Sequence, residues 1–82
     1  AFREERIAVA REVMDLMAAY PGRDWKMRQI VRYVETMRNE TRREKVRRGV
    51  HRVVALLIES GHVERDPPGQ YGSYALYRWV KP

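Results

Sequence analysis

Val50-His51-Arg52-Val53-Val54-Ala55-Leu56-Leu57-Ile58-Glu59-Ser60-Gly61-His62-Val63-Glu64-Arg65 carries the decisive change of rhythm in this chain. Before Gly61, Val46, Val50, Val53, Val54, Leu57 and Ile58 recur at about 100° per residue, so they fall on one side of a helix. After Gly61 the period becomes extended, and His62-Val63-Glu64-Arg65 reads as a short strand. Ser60-Gly61 is the expected stop between them, because glycine accepts the reversed backbone that ends a helix. Upstream, Thr41-Arg42-Arg43-Glu44 reads as a capping box, in which Thr accepts from the third helical amide while Glu reaches back. The spacing therefore predicts a helix over 41–60 followed by an extended segment.

Working outward, Asp66-Pro67-Pro68-Gly69-Gln70-Tyr71-Gly72 is dense in turn formers. Ser73 to Val80 is rich in aromatic and β-branched residues and reads as the returning strand of a hairpin over 62–80. An isolated hairpin is only marginally stable, so it must pack on helices. Toward the N-terminus, Arg28 to Met37 forms a second amphipathic run, with Met27, Ile30, Val31, Val34 and Met37 inward and Arg28, Arg32, Glu35 and Arg38 outward. A turn is expected at Arg38-Asn39-Glu40. Asp24-Trp25-Lys26-Met27 is either an N-cap with a first turn or a short extended piece. Arg3 to Tyr20 places Ile7, Ala10, Val13, Met14, Leu16, Met17 and Tyr20 at helical spacings, and Pro21-Gly22 ends that helix.

The length of 82 residues suits a single domain, spanning 1–82, whose one core must stand without staples. There is no cysteine, which excludes disulfides and thiolate metal sites; a reducing compartment fits. Neither a membrane-length apolar run nor a signal-like segment occurs, so a cytoplasmic or nucleoid-associated setting is expected. An N-terminal Ala is what removal of an initiator Met leaves, and a trimmed chain begins in the same way.

The net charge of +6 is localised. Residues 1–22 carry three Arg against four acids, and residues 53–82 balance three cations against three acids. Residues 23–52 carry eleven Lys or Arg against Asp24, Glu35, Glu40 and Glu44, a net +7. Codon bias accounts for Arg outnumbering Lys, but not for the clustering. A clustered basic excess is the electrostatic footprint of a polyanionic partner.

The order helix, short strand or cap, helix, turn, helix, hairpin resembles the winged helix-turn-helix superfamily. The resemblance rests chiefly on Val50, Val54, Leu57, Gly61, His62, Val63, Glu64 and Arg65, with His62 where an apolar residue is usual. It implies a mainly α fold with a small hairpin (α+β), three helices and a wing of two or three strands. It further implies double-stranded DNA as partner and a role in transcriptional regulation, as a repressor. Helix 41–60 would lie in the major groove and hairpin 62–80 would be the wing. The helix is a turn or two longer at its start than the usual recognition helix. Thr41 to Arg47 thus belongs either to that helix or to the preceding turn.

The residues support a reading face independently. Opposite the apolar side of helix 41–60 stand Lys45, Arg48 and Arg52, with Thr41, Glu44 and Ala55 beside them. An α-helix fits the major groove, where Arg takes guanine O6 and N7 with two hydrogen bonds. Arg42, Arg43 and Arg47 flank that face and suit phosphate contacts, as does Arg28. A solvated helix surface is the plainer reading of each. Gly49 is either a site of close backbone approach to phosphate or a tolerated surface glycine. At the hairpin, Gln70 and Tyr71 sit at the tip, which lacks Lys and Arg, and Arg65 and Arg78 near the base are within range of phosphate.

Trp25, Tyr33, Tyr74, Tyr77 and Trp79 suggest a base-stacking platform, yet a domain this small needs large side chains to close its core. The core reading is preferred, with Trp25 beside Trp79. Neither His51 nor His62 has cysteine or carboxylate neighbours at metal-ligand spacing, and no nucleophile stands beside a base. No enzyme chemistry, metal or cofactor is expected. His51 reads as a phosphate contact or a solvated residue, and His62 as a helix-end residue. Alternatives are a replication, partition or excision accessory protein on DNA, a protein–protein assembly module, and RNA as the polyanion. A homodimer through Ile7, Val9, Val13, Met14 and Met17 competes with those residues being core.

Overall fold

The computed structural model describes residues 2–38, 43–66 and 75–81, with side chains at 8–37, 44–66 and 75–81. Its elements in chain order are α1 (Phe2–Ala19), β1 (Trp25–Lys26), α2 (Met27–Arg38), α3 (Arg43–Glu59), β2 (Val63–Asp66) and β3 (Leu76–Trp79). The architecture is α+β: three helices against an antiparallel sheet of order β1-β3-β2.

Each helix boundary has a local cause. α1 stops where Pro21 cannot continue the ladder and Gly22 takes φ +83°. The Gly22 amide then donates to the Trp79 carbonyl at 2.9 Å, which ties the turn to the sheet. α2 begins directly after β1, and the Lys26 amide donates to Gln29 Oε1 at 2.8 Å. That is the back-reaching half of a capping box, with Gln in the third helical position. The extended reading of 24–27 therefore holds over Trp25–Lys26, and Asp24 is not the cap.

At the end of α3, Gly61 adopts φ +82°. Its amide donates to the Ile58 carbonyl at 3.0 Å and that of His62 to Leu57 at 2.9 Å. These two bonds form a Schellman motif, as the Ser60-Gly61 stop requires. The Val80 amide next donates to the His62 carbonyl at 2.9 Å, so the sheet starts without an intervening loop.

Among the described residues, sixteen apolar ones form one buried cluster, in which Val13, Met17, Ile30, Val34, Val50 and Val54 are fully enclosed. Burying a side chain of this kind contributes about 1.5–3 kcal/mol relative to leaving it exposed. α3 supplies Val46, Val50, Val54 and Leu57, as its spacing predicts, with Val53 and Ile58 packed at the margin. Trp25, Tyr77 and Trp79 are all buried. Their role is core, and the stacking-platform reading fails for these three. Tyr33 packs against the cluster, and Tyr74 lies outside the described residues. Trp25 stands across the sheet from Tyr77 rather than from Trp79, whose partner is Val63.

Several expectations need correction. Met37 was expected inward but is exposed, because α2 extends past the core by its last turn. Met14 and Tyr20, on the predicted apolar face of α1, are exposed as well. Val9 is buried instead, facing α3. Val9, Val13 and Met17 lie in the protein's own core, as the core alternative for that face has it, while Met14 is exposed and the Ile7 side chain lies outside the described residues. β3 spans Leu76–Trp79, shorter than the strand expected over 73–80, and residues 73–74 lie outside the described part. No helix among the described residues is long and apolar enough to cross a membrane.

Candidate nucleic-acid interface

Helix α3 is amphipathic, so burying Val46, Val50, Val54 and Leu57 forces the opposite side outward. Glu44, Lys45, Arg47, Arg48, Arg52 and Ala55 are all exposed. Arg48 and Arg52 stand one turn apart on that outer side. The segment 43–47 is helical and continuous with the rest of α3, which places Arg47 on the helix rather than in the turn. Arg43 is the first residue of the helix, and its side chain lies outside the described residues. Thr41, Arg42, Gln70 and Tyr71 also lie outside them, so the capping box and the hairpin tip do as well.

Gly49 does not belong to the outer face. A Cβ built there meets Val9 Cγ1 at 3.6 Å and Cγ2 at 4.0 Å, so this position looks at α1. Both readings of Gly49, close approach to phosphate and a surface glycine, give way to a contact between helices.

The cations differ in what holds them. Arg78 Nε donates to Asp24 Oδ1 at 2.8 Å, Nη1 to Glu64 Oε2 at 3.3 Å and Nη2 to Asp66 Oδ2 at 3.2 Å. Hydrogen bonds to Asp24 and Asp66 raise its pKa, and the charge of these two carboxylates adds to the effect. One guanidinium among three carboxylates leaves the base of the hairpin acidic. These three carboxylates hold the guanidinium that the sequence places within range of phosphate. Arg65 stands opposite Tyr77 and is half-buried, on the register that faces the core.

By contrast Arg28, Arg32, Arg47, Arg48 and Arg52 are exposed and make no ion pair among the described residues. Arg28 and Arg32 are one turn apart on the outer side of α2, and Lys26 precedes them at the end of β1. Of these, Arg32 and Lys26 were not singled out as contact candidates in the sequence. What would have found them is the polar side of α2, read as continuous with β1.

His51 lies one turn after Arg47 on α3. Partial desolvation of its ring, and then the charge of Arg47, hold its pKa below the ordinary 6.5. His62 closes α3, with Nδ1 2.6 Å from Ser60 Oγ and its ring centroid 5.4 Å from that of Trp79. Among the described residues no group of three His, Asp or Glu is placed to hold a metal ion. No family model matches the chain, and neither the curated proteins nor the solved structures contain a significant match to it.

Proposed function

We propose that this chain is a winged helix-turn-helix domain that binds double-stranded DNA, with α3 in the major groove. The observation that carries this reading is the set of exposed arginines on α3 and α2, Arg28, Arg32, Arg47, Arg48 and Arg52, that make no ion pair among the described residues. Uncommitted cations on a helix that a groove admits give both phosphate affinity and a means of reading guanine. The element order and the sheet β1-β3-β2 are compatible with the winged arrangement. A repressor acting by occlusion needs only affinity at its site, so a regulatory role of that kind is the most economical use of the domain.

The acidic base of the hairpin, built by Asp24, Glu64 and Asp66 around Arg78, argues that β2 and β3 stand clear of the phosphates. Contact in this reading runs through α3 and the start of α2. Selection of bound sequences from random duplex DNA is the direct test, and an enriched motif containing guanine is expected. With about four to six phosphates neutralised, log K against log salt should slope about −3.5 to −5.5. No binding at low salt, or a flat salt dependence, would overturn the reading in favour of a protein-assembly role.

A further inference from the structure

Arg23 sits between the end of α1 and β1, at a point where the backbone is held on both sides. Its amide donates to the Tyr20 carbonyl at 3.1 Å, the preceding Gly22 amide to Trp79, and Trp25 pairs with Tyr77 in the sheet. Its guanidinium carbon lies 4.3 Å from the Trp25 ring centroid and 5.5 Å from that of Tyr20. The two rings meet edge to face at 6.1 Å and 63°. Asp24, the neighbouring acid, is bonded to Arg78 instead. Arg23 is exposed and has no ion pair among the described residues.

An aromatic face fixes the plane of a guanidinium without engaging its N–H groups, which point outward in that plane. Ordinary exposed arginines lose side-chain entropy when they bind, whereas one already stacked loses less. We infer that Arg23 is a preorganised phosphate contact, which extends the nucleic-acid footprint beyond α2 along β1. The inference rests on the duplex-binding reading above. Along the chain Arg23, Lys26, Arg28 and Arg32 run from the turn before β1 into α2, on elements other than the reading helix α3.

The test is titration of the intact chain with a selected duplex and a random one, each of about two helical turns. Arg23→Ala, Arg23→Lys, Tyr20→Ala and Arg48→Ala are compared at several salt concentrations, with melting temperatures measured alongside. Arg23→Ala should weaken both duplexes about three- to tenfold and reduce the salt slope by about one. Arg23→Lys should recover little, since Lys keeps the charge but neither stacks as a plane nor forks, and Tyr20→Ala should fall between. Full affinity in Arg23→Lys would reduce the residue to a plain surface charge and overturn the inference. So would a lowered melting temperature with unchanged affinity, which marks a structural clasp. If Arg48→Ala weakens binding while Arg23→Ala does not, the footprint proposal fails and duplex binding stands. If the wild type binds neither duplex, both fail.

Discussion

Arg78 Nε and Asp24 Oδ1 are 2.8 Å apart across 54 residues of sequence, joining β3 to the turn before β1. With Glu64 and Asp66 on its other nitrogens, Arg78 ties β3 to β2 as well as to the turn before β1. Replacing it should lower the melting temperature, because three carboxylates are left facing one another. The salt slope of DNA binding should stay unchanged, because Arg78 is not among the proposed phosphate contacts. A slope reduced by about one in Arg78→Ala would return the residue to the interface.

Gly49 separates two roles cleanly. In a helix interior Gly is less favourable than Ala by about 0.8–1.0 kcal/mol, and a Cβ here meets Val9 at an ordinary contact distance. Gly49→Ala should therefore stabilise the fold by up to about 1 kcal/mol, read by thermal or urea unfolding. DNA affinity should not change. A loss of affinity with no gain in stability would mean that the backbone at Gly49 approaches phosphate after all.

Trp79 is buried opposite Val63, with His62 against its ring. Trp79→Ala should destabilise the protein by about 3 kcal/mol or more, since aromatic truncation in a core combines lost transfer energy with a cavity. Unfolding in denaturant measures this directly. An intact melting temperature with abolished binding would instead make the aromatic residues a stacking surface.

On α3, the exposed Arg48 and Arg52 are the residues proposed to read guanine. Replacing either with Ala should cost about 1–3 kcal/mol on the preferred duplex and less on a random one. Arg28→Ala should weaken both alike and reduce the salt slope by about one. Equal losses on both duplexes for Arg48 and Arg52 would make α3 a phosphate clamp rather than a reader.

His51 gives the pH dependence. Its folded pKa lies below the unfolded value of about 6.5, so below that pH the unfolded chain binds more protons. The stability it contributes is present above pH 6.5 and is lost as pH falls through the folded pKa. His51→Gln should flatten that acid-side decline in melting temperature. In the proposed complex phosphate would offset the charge of Arg47, so binding should take up a proton and tighten as pH falls. Calorimetric titration in buffers of different ionisation enthalpy measures the uptake, and none would place His51 away from the duplex.

The sequence by itself determined the order of the elements and the side that α3 buries. Val46, Val50, Val54 and Leu57 define one side of α3 by spacing alone, and Ser60-Gly61 defines its end by the backbone freedom of glycine. The outward position of Arg47, Arg48 and Arg52 follows, because a helix cannot bury one side without presenting the other. Only the tertiary structure decided which cations are committed. Arg23 has an acid beside it in the sequence and Arg78 has none, yet Arg78 is bonded to three carboxylates and Arg23 lies over the rings of Trp25 and Tyr20. Those partners come from other strands and turns, and spacing along a single segment carries no information about them. Gly49 and Met14 were legible only in the same way. Which neighbour a helix packs against, and how closely, is set by the meeting of α1 with α3, a long-range contact that local periodicity does not encode.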